Sequence, residues 1–244
     1  YYSNVYTTIS PYEGTADCFC FGSWHLEDFK MTGEKQLRKE YSPSIDLANY
    51  DEDDMKLCMR FPKAAYSKKF SDSVPDEIIS IAKSKDFNTN GLISSNAHKG
   101  RKGENNISYT ILPNFSKTSN SVDLYVILRG TTDEEWQGNM DITGEDYKDV
   151  RQHQSFLNGS EYLRNKINRY FELNYEFYRN LNVNLHITGH SRGAAVANLY
   201  AKYVSDNRKL GTIDKNLFAN KVVAYTFATP NVEKFHSAMT NYNN

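Results

Sequence analysis

A serine flanked by glycines, between a strand-like segment and a helix-like one, constrains this chain more than any other feature. The motif is Gly-His-Ser-Arg-Gly at positions 189–193, and residues 183–188 before it have the β-branched, apolar composition of a strand. Residues 192–205 are rich in alanine and predict a helix, and residues 222–227 predict another strand. The order strand, helix, strand predicts a parallel βαβ unit with the serine at its first turn.

Other segments complete the expectation of an α/β fold. Residues 107–112 and 123–128 are strand-like and are separated by Pro, Asn and Ser, which predicts an antiparallel hairpin. Apolar side chains at helical spacing predict an amphipathic helix over residues 156–178. We therefore expect residues 1–244 to form one α/β domain, with a mostly parallel central sheet flanked by helices and an antiparallel hairpin at one side.

The first hundred residues are less regular. Residues 1–50 predict an irregular segment, or one edge element, packed on the main body. The acidic run at residues 51–54 suits the positive end of a helix dipole, whereas a calcium loop would place oxygen ligands at alternate positions around a glycine. We expect one helix to begin at this run and another at residues 74–77, with a polar surface loop over residues 94–106.

Charge and cysteine content exclude several functional classes. Lys and Arg number 29 against 30 Asp and Glu, so the net charge of -1 gives no basic footprint for nucleic acid. No apolar run approaches the roughly 20 residues of a membrane-spanning helix. Three cysteines are too few for a disulfide framework, and Cys18 and Cys20 lack the second pair that a zinc site requires. We expect no metal and no organic cofactor.

The N-terminus begins at Tyr1 without an initiator Met and lacks the basic-then-apolar order of a signal peptide. We interpret the chain as processed or trimmed. Removal of a secretion signal would account for this and would place the protein outside the cell, while the compartment and the oligomeric state stay open.

The turn around Ser191 suits nucleophilic catalysis. A tight strand-to-helix turn lifts a serine hydroxyl above the sheet, and glycines flank it because larger side chains would collide with the neighbouring strand or helix. Such a hydroxyl needs a base to take its proton and a third group to orient that base. Backbone N–H groups at the helix start would stabilise an oxyanion, and we assign this donation to Arg192. The alternative is an ordinary glycine-rich turn.

Residues 107–235 resemble the class 3 lipase family, the fungal-type triacylglycerol lipases and their bacterial and plant relatives, which have an α/β-hydrolase fold. Five segments carry the resemblance in the same order: residues 126–131, 136–139, 153–157, 186–195 and 225–232. The resemblance implies that Thr131 supplies a second oxyanion donor, through its backbone N–H and optionally its hydroxyl. It also implies a lid over about residues 133–146, for which Trp136 is either the lipid anchor or a core residue.

This chain departs from the family where the triad acid and base should follow, in the order Ser, Asp, His. The acidic residues between Ser191 and the end of the chain do not stand where the family has its acid: Asp206, Asp214 and Glu233. His236 is the only downstream histidine and falls where the family has a helix, while His153, His186 and His190 are interpreted as structural or supporting residues. We expect the triad Asp and His, with further strands, beyond Asn244, and keep His236 as the alternative base.

The sequence thus predicts a serine carboxylic-ester hydrolase, acting on acylglycerols or related lipid esters and touching a lipid surface transiently through its lid. One alternative is a hydrolase-like binding or scaffold protein that kept the turn and lost the triad. Acyl transfer on the same scaffold is a third reading.

Overall fold

A computed structural model of the chain describes residues 51–67, 73–96, 107–130, 154–207, 209–210 and 217–229, and the backbone of residues 3–9. Its elements, in chain order, are β1 (Ser3–Ile9), α1 (Glu52–Ala64), a 3-10 turn (Ala65–Ser67), α2 (Asp76–Ser84), β2 (Ser94–Asn96), β3 (Tyr109–Phe115), β4 (Ser121–Leu128), α3 (Gln154–Leu173), α4 (Tyr175–Tyr178), β5 (Asn182–His190), α5 (Arg192–Asn207) and β6 (Ala219–Thr229). None of the helices in these ranges combines the length and the apolar character that a membrane crossing needs.

The six strands form one mixed sheet in the order β1-β6-β5-β4-β3-β2. β1, β6, β5 and β4 pair in parallel, whereas β3 is antiparallel to β4 and β2 is antiparallel to β3. The prediction of a mostly parallel sheet with an antiparallel hairpin at one side is confirmed.

Helices cover both faces of this sheet, because successive strand residues point to opposite sides. Val126 of β4 packs into a core cluster with α3 and α5, and its neighbour Ile127 packs into a second cluster with α1 and α2. Both side chains are fully buried, and such burial contributes about 1.5–3 kcal/mol for each large apolar residue. The two cores hold β4, β5 and β6 rigidly between the helical layers.

The predicted helix starts are confirmed. The side chain of Asp51 accepts a hydrogen bond from the backbone N–H of Asp54 at 2.9 Å, which caps α1 at the acidic run. α2 begins at Asp76, directly after Pro75, and carries Glu77 in its first turn.

Two expectations need correction. Residues 94–96, predicted as loop, form β2, whereas residues 3–9 form β1, which is the edge element that the sequence left open as one alternative for residues 1–50. Both strands lie at the edges of the sheet, where one partner suffices and an apolar pattern is not required. The helix predicted over residues 156–178 breaks at Asn174, whose backbone N–H and side-chain amide both donate to the carbonyl of Tyr170, at 3.1 and 2.8 Å.

Candidate active site

Ser191 is the one residue between the end of β5 and the start of α5. Its φ of 54° lies in the left-handed region, which residues other than glycine rarely adopt. Its backbone N–H donates to the carbonyl of Phe227 at 3.0 Å, and its own carbonyl accepts from the N–H of Ala194 at 2.9 Å. The strand, the tight turn and the helix expected around this serine are all present.

Two glycines allow the turn to close. A Cβ at Gly189 would lie 2.5 Å from the carbonyl carbon and oxygen of Gly193. A Cβ at Gly193 would lie 2.7 Å from the carbonyl oxygen of Leu128 and 2.9 Å from that of Arg129. These neighbours are backbone atoms of well-packed elements, so any larger residue would force the turn open.

The register of the sheet brings two more residues beside Ser191. Leu128 pairs with Gly189 and Phe227 pairs with His190, so Gly130 and Ala228 border the serine from either side. A Cβ at Gly130 would lie 2.6 Å from the carbonyl oxygen of His190 and 3.1 Å from Cβ of Ser191. Ala228 also has a left-handed backbone, with a φ of 51°. Strained residues therefore cluster at the carboxyl edge of the parallel strands, where α/β folds bind ligands.

One of the two expected oxyanion donors lies in the described part of the chain. Arg192 is the first residue of α5, where backbone N–H groups have no acceptor within the helix. Its N–H directly follows Ser191. Thr131, the other donor, comes one residue after Gly130 but lies outside the described residues, so its role stays a prediction.

No described residue donates a hydrogen bond to the half-buried Ser191 hydroxyl or accepts one from it. The imidazole of His190 instead has its Nδ1 3.0 Å from Oη of Tyr66, and burial lowers the pKa of His190 below its usual value. Asp206 lies in α5, as the sequence predicts. The other candidates for base, acid, lid or metal ligand lie outside the described ranges: Cys18, Cys20, residues 133–146 with Trp136, His153, Asp214, Glu233 and His236.

His186 lies in a buried charged cluster between β5, β4 and α1. Its Nδ1 is 2.8 Å from Oδ2 of Asp54 and its Nε2 is 3.6 Å from Oδ1 of Asp123. The ring stacks on Tyr125 at 4.7 Å between centroids, and the hydroxyl of Tyr125 donates to Asp54 at 3.2 Å. Burial by itself lowers the pKa of His186, but the hydrogen bonds and charges of Asp123 and Asp54 outweigh it and raise this pKa to about 9. His186 is therefore an imidazolium at neutral pH.

The same cluster contains the side chains of the described part that could best hold a metal ion. The ligand atoms of Asp54, Cys58 and His186 lie within 4.8 Å of one another. However, both nitrogens of His186 already face carboxylates, Nδ1 that of Asp54 and Nε2 that of Asp123. An ion pair accounts for this arrangement without a metal.

Sequence reasoning missed this cluster and the contact of Tyr66 with His190. The partners are 132 and 124 residues apart along the chain, and no local pattern marks either pairing. The acidic run was the only available signal, and it predicted a helix start.

A three-layer α/β fold with a strained serine between a parallel strand and a helix defines the α/β-hydrolase class. Residues 125–243 match the family model of the class 3 lipases. The resemblance that the motifs implied is thereby confirmed. No curated protein matches the chain.

Solved structures with a similar fold are also lipases. A Rhizomucor miehei lipase in complex with its propeptide is 17% identical with a TM-score of 0.44; the match covers 79% of this chain and 56% of the lipase chain. A fungal lipase–inhibitor complex is 16% identical with a TM-score of 0.46, and the coverages are 79% and 69%. A Yarrowia lipolytica lipase is 15% identical with a TM-score of 0.40, and the coverages are 75% and 60%. The chain thus spans little more than half the length of the first of these lipases.

We expect the charge on His186 to make the protein less stable at high pH. His186 titrates with a pKa of about 9 in the folded protein and about 6.5 in the unfolded chain, so the stabilisation is complete below about pH 6.5 and is lost as the pH rises through about 9. Urea unfolding of the wild type and of His186→Gln across this range should show a difference on the order of 2 kcal/mol that shrinks with pH. A difference independent of pH would contradict a charged His186.

We expect Ala228→Gly to raise the free energy of unfolding by about 1 kcal/mol, because glycine adopts a φ of 51° without the Cβ clash. Ala224→Gly in the same strand is the matched control, since Ala224 is fully buried and has an ordinary backbone. In the control, Ala224→Gly, the free energy of unfolding should fall by about 1 kcal/mol or more. Chemical denaturation of both variants checks this, and equal losses would show that Ala228 is not strained.

Proposed function

We propose that this protein is a serine carboxylic-ester hydrolase that acts on acylglycerols or related lipid esters, with residues 1–244 in a single domain. The observation that carries the proposal is the left-handed Ser191 between β5 and α5, at the carboxyl edge of the parallel strands. The match of residues 125–243 to the class 3 lipases supports the same chemistry.

The reaction proceeds through an acyl-serine. Oγ of Ser191 attacks the carbonyl carbon of the ester while a base removes the hydroxyl proton. The carbonyl oxygen becomes an oxyanion, which accepts hydrogen bonds from the N–H of Arg192 and of Thr131; each such donor contributes about 3 kcal/mol in the transition state. The ester bond then breaks, the alcohol leaves with the proton from the base, and water hydrolyses the acyl-serine to release the acid and restore the hydroxyl.

The base comes from outside the described residues. His190 is hydrogen bonded to Tyr66 and His186 is paired with Asp54, so neither contacts the Ser191 hydroxyl. In this proposal the triad Asp and His follow Asn244, and His236 is the alternative base within this sequence, which makes His236→Ala the first variant to examine. Activity that survives in His236→Ala would assign the base to another residue.

A lipid ester, rather than a small water-soluble one, is the substrate class that the family supports. In this proposal the segment around Trp136 contacts the lipid surface. The rate on an ester of a medium-chain acid should then rise more steeply above its aggregation point than below it, and Trp136→Ser should reduce that rise. An equal dependence on concentration below and above aggregation would favour a soluble-ester esterase.

We expect Ser191→Ala in the full-length protein to lose labelling by a fluorophosphonate probe and to lower kcat for ester hydrolysis by about 10⁴-fold or more, because the attacking oxygen is removed. Intact-protein mass spectrometry measures the labelling, and release of p-nitrophenol from a p-nitrophenyl ester measures the turnover.

Ser205→Ala is the matched control for this experiment. Ser205 lies in α5, the helix that Ser191 precedes, and none of the described residues forms a hydrogen bond with its buried hydroxyl, so Ser205→Ala breaks no hydrogen bond among them. Unchanged labelling of Ser191→Ala would refute the nucleophile, and an unreactive full-length wild type would favour a binding or scaffold protein. Capture of the acyl group by an added alcohol in preference to water would favour acyl transfer.

A further inference from the structure

Tyr66 connects the α1 side of the sheet to the turn that carries Ser191. It lies in the 3-10 turn Ala65–Ser67 that ends α1, and it is half-buried. Its ring meets the ring of His190 edge-on, with centroids 5.8 Å apart and an interplanar angle of 78°. Its hydroxyl oxygen is 3.0 Å from Nδ1 of His190. Because His190 directly precedes Ser191, this contact reaches the backbone of the turn at residues 189–193 between β5 and α5, which we call the elbow.

The direction of the hydrogen bond follows from the charge of His190. Burial lowers the pKa of His190, so the ring is neutral near pH 7 and carries one N–H. A phenol is the better donor and the unprotonated ring nitrogen the better acceptor, so the Tyr66 hydroxyl donates to Nδ1 and the proton of the ring is on Nε2.

The same hydroxyl touches the second half of the site. A Cβ at Gly130 would overlap Oη of Tyr66, which shows that the hydroxyl is packed against the Cα of Gly130. Gly130 belongs to the turn after β4 that leads directly to Thr131. Tyr66 therefore contacts Gly130, the residue before Thr131 in the sequence, and through His190 it is linked to the start of α5 at Arg192.

We propose that Tyr66 is a positioning residue for the oxyanion hole, which it maintains by holding the elbow, through His190, at a fixed distance from the turn at Gly130. This inference rests on the proposed function. Oxyanion donors act only when they are about 2.7–3.1 Å from the developing charge. A small displacement of either turn therefore reduces the stabilisation of the transition state. Tyr66 itself does not touch the reacting atoms.

The test compares Tyr66→Phe with Tyr170→Phe in the full-length protein. Phenylalanine keeps the ring against His190 and removes only the hydroxyl. Tyr170 is the control because its hydroxyl donates to the carbonyl of Leu92 and pairs with that of Tyr178, in the core cluster with α3 and α5 on the opposite face of the sheet. Both variants lose a part-buried hydroxyl, so an effect of general destabilisation appears in both.

We expect Tyr66→Phe to lower kcat and the rate constant of fluorophosphonate labelling by about 10-fold with little change in KM, because the oxyanion forms only in the transition state. Tyr170→Phe should retain kcat within about 2-fold. His190→Leu should reduce kcat by a similar factor, and Tyr66→Phe should add nothing in that background. His190→Asn, which keeps an acceptor near the position of Nδ1, should restore most of the rate.

Two outcomes overturn the proposal. Tyr66→Phe with the kcat of Tyr170→Phe would show that the hydroxyl does not position the donors, and additive losses in the double variant would show that Tyr66 does not act through His190. Both would leave the proposed hydrolase intact as long as Ser191→Ala abolishes labelling. If Ser191→Ala is labelled like the wild type, the proposed function fails and this inference fails with it.

Discussion

The backbone at the junction of β5 and α5 packs against itself and against the end of β4 at van der Waals distance. This contact is possible because Gly189 and Gly193 have no side chains there, and the tight turn between them puts Ser191 into a left-handed conformation. The parallel register of β4, β5 and β6 then determines which residues border that point, namely Gly130 on one side and Ala228 on the other. The two helical layers supply the rigidity that keeps so crowded a junction closed. Without them, the strain in Ser191 and Ala228 would open it.

Much of this architecture is predictable from the sequence because it depends on local patterns. The acidic residues after Asp51 mark the start of α1, the apolar segments on either side of a Pro- and Ser-containing break give the hairpin, and the glycine pair gives the turn at Ser191. The edge strand β2 is not predictable in this way. Ser94–Asn96 is polar and becomes a strand only because the free edge of β3 offers its backbone hydrogen bonds, which are independent of side-chain type.

The residues of the candidate site also differ in whether a local sequence pattern predicts them. Ser191 and the adjacent Arg192 follow from a motif of five residues, whereas Tyr66 reaches the site from 124 residues away. His186 has the same character, since two carboxylates from different elements overcome the cost of burying it and keep it charged. Alternation along β5 places residue 186 on the face opposite to Leu185 and Ile187, but it cannot supply the identity of its partners. Contacts of this kind depend on the packing of whole layers, so they become visible only in three dimensions.

Polar contacts join α1, and the 3-10 turn that ends it, to β5 at intervals along the strand. His186 pairs with Asp54, the Thr188 hydroxyl donates to the carbonyl of Cys58 at 2.6 Å, and His190 bonds Tyr66. Apolar side chains beneath a helix can exchange neighbours when the helix slides, but a slide of one turn, about 5.4 Å, would break all three of these bonds together. Together the three hydrogen bonds therefore fix the position of α1 along the direction of β5. Substitutions of the apolar residues beneath α1 can therefore change how strongly the helix packs on the sheet, while the end of the helix stays beside Ser191.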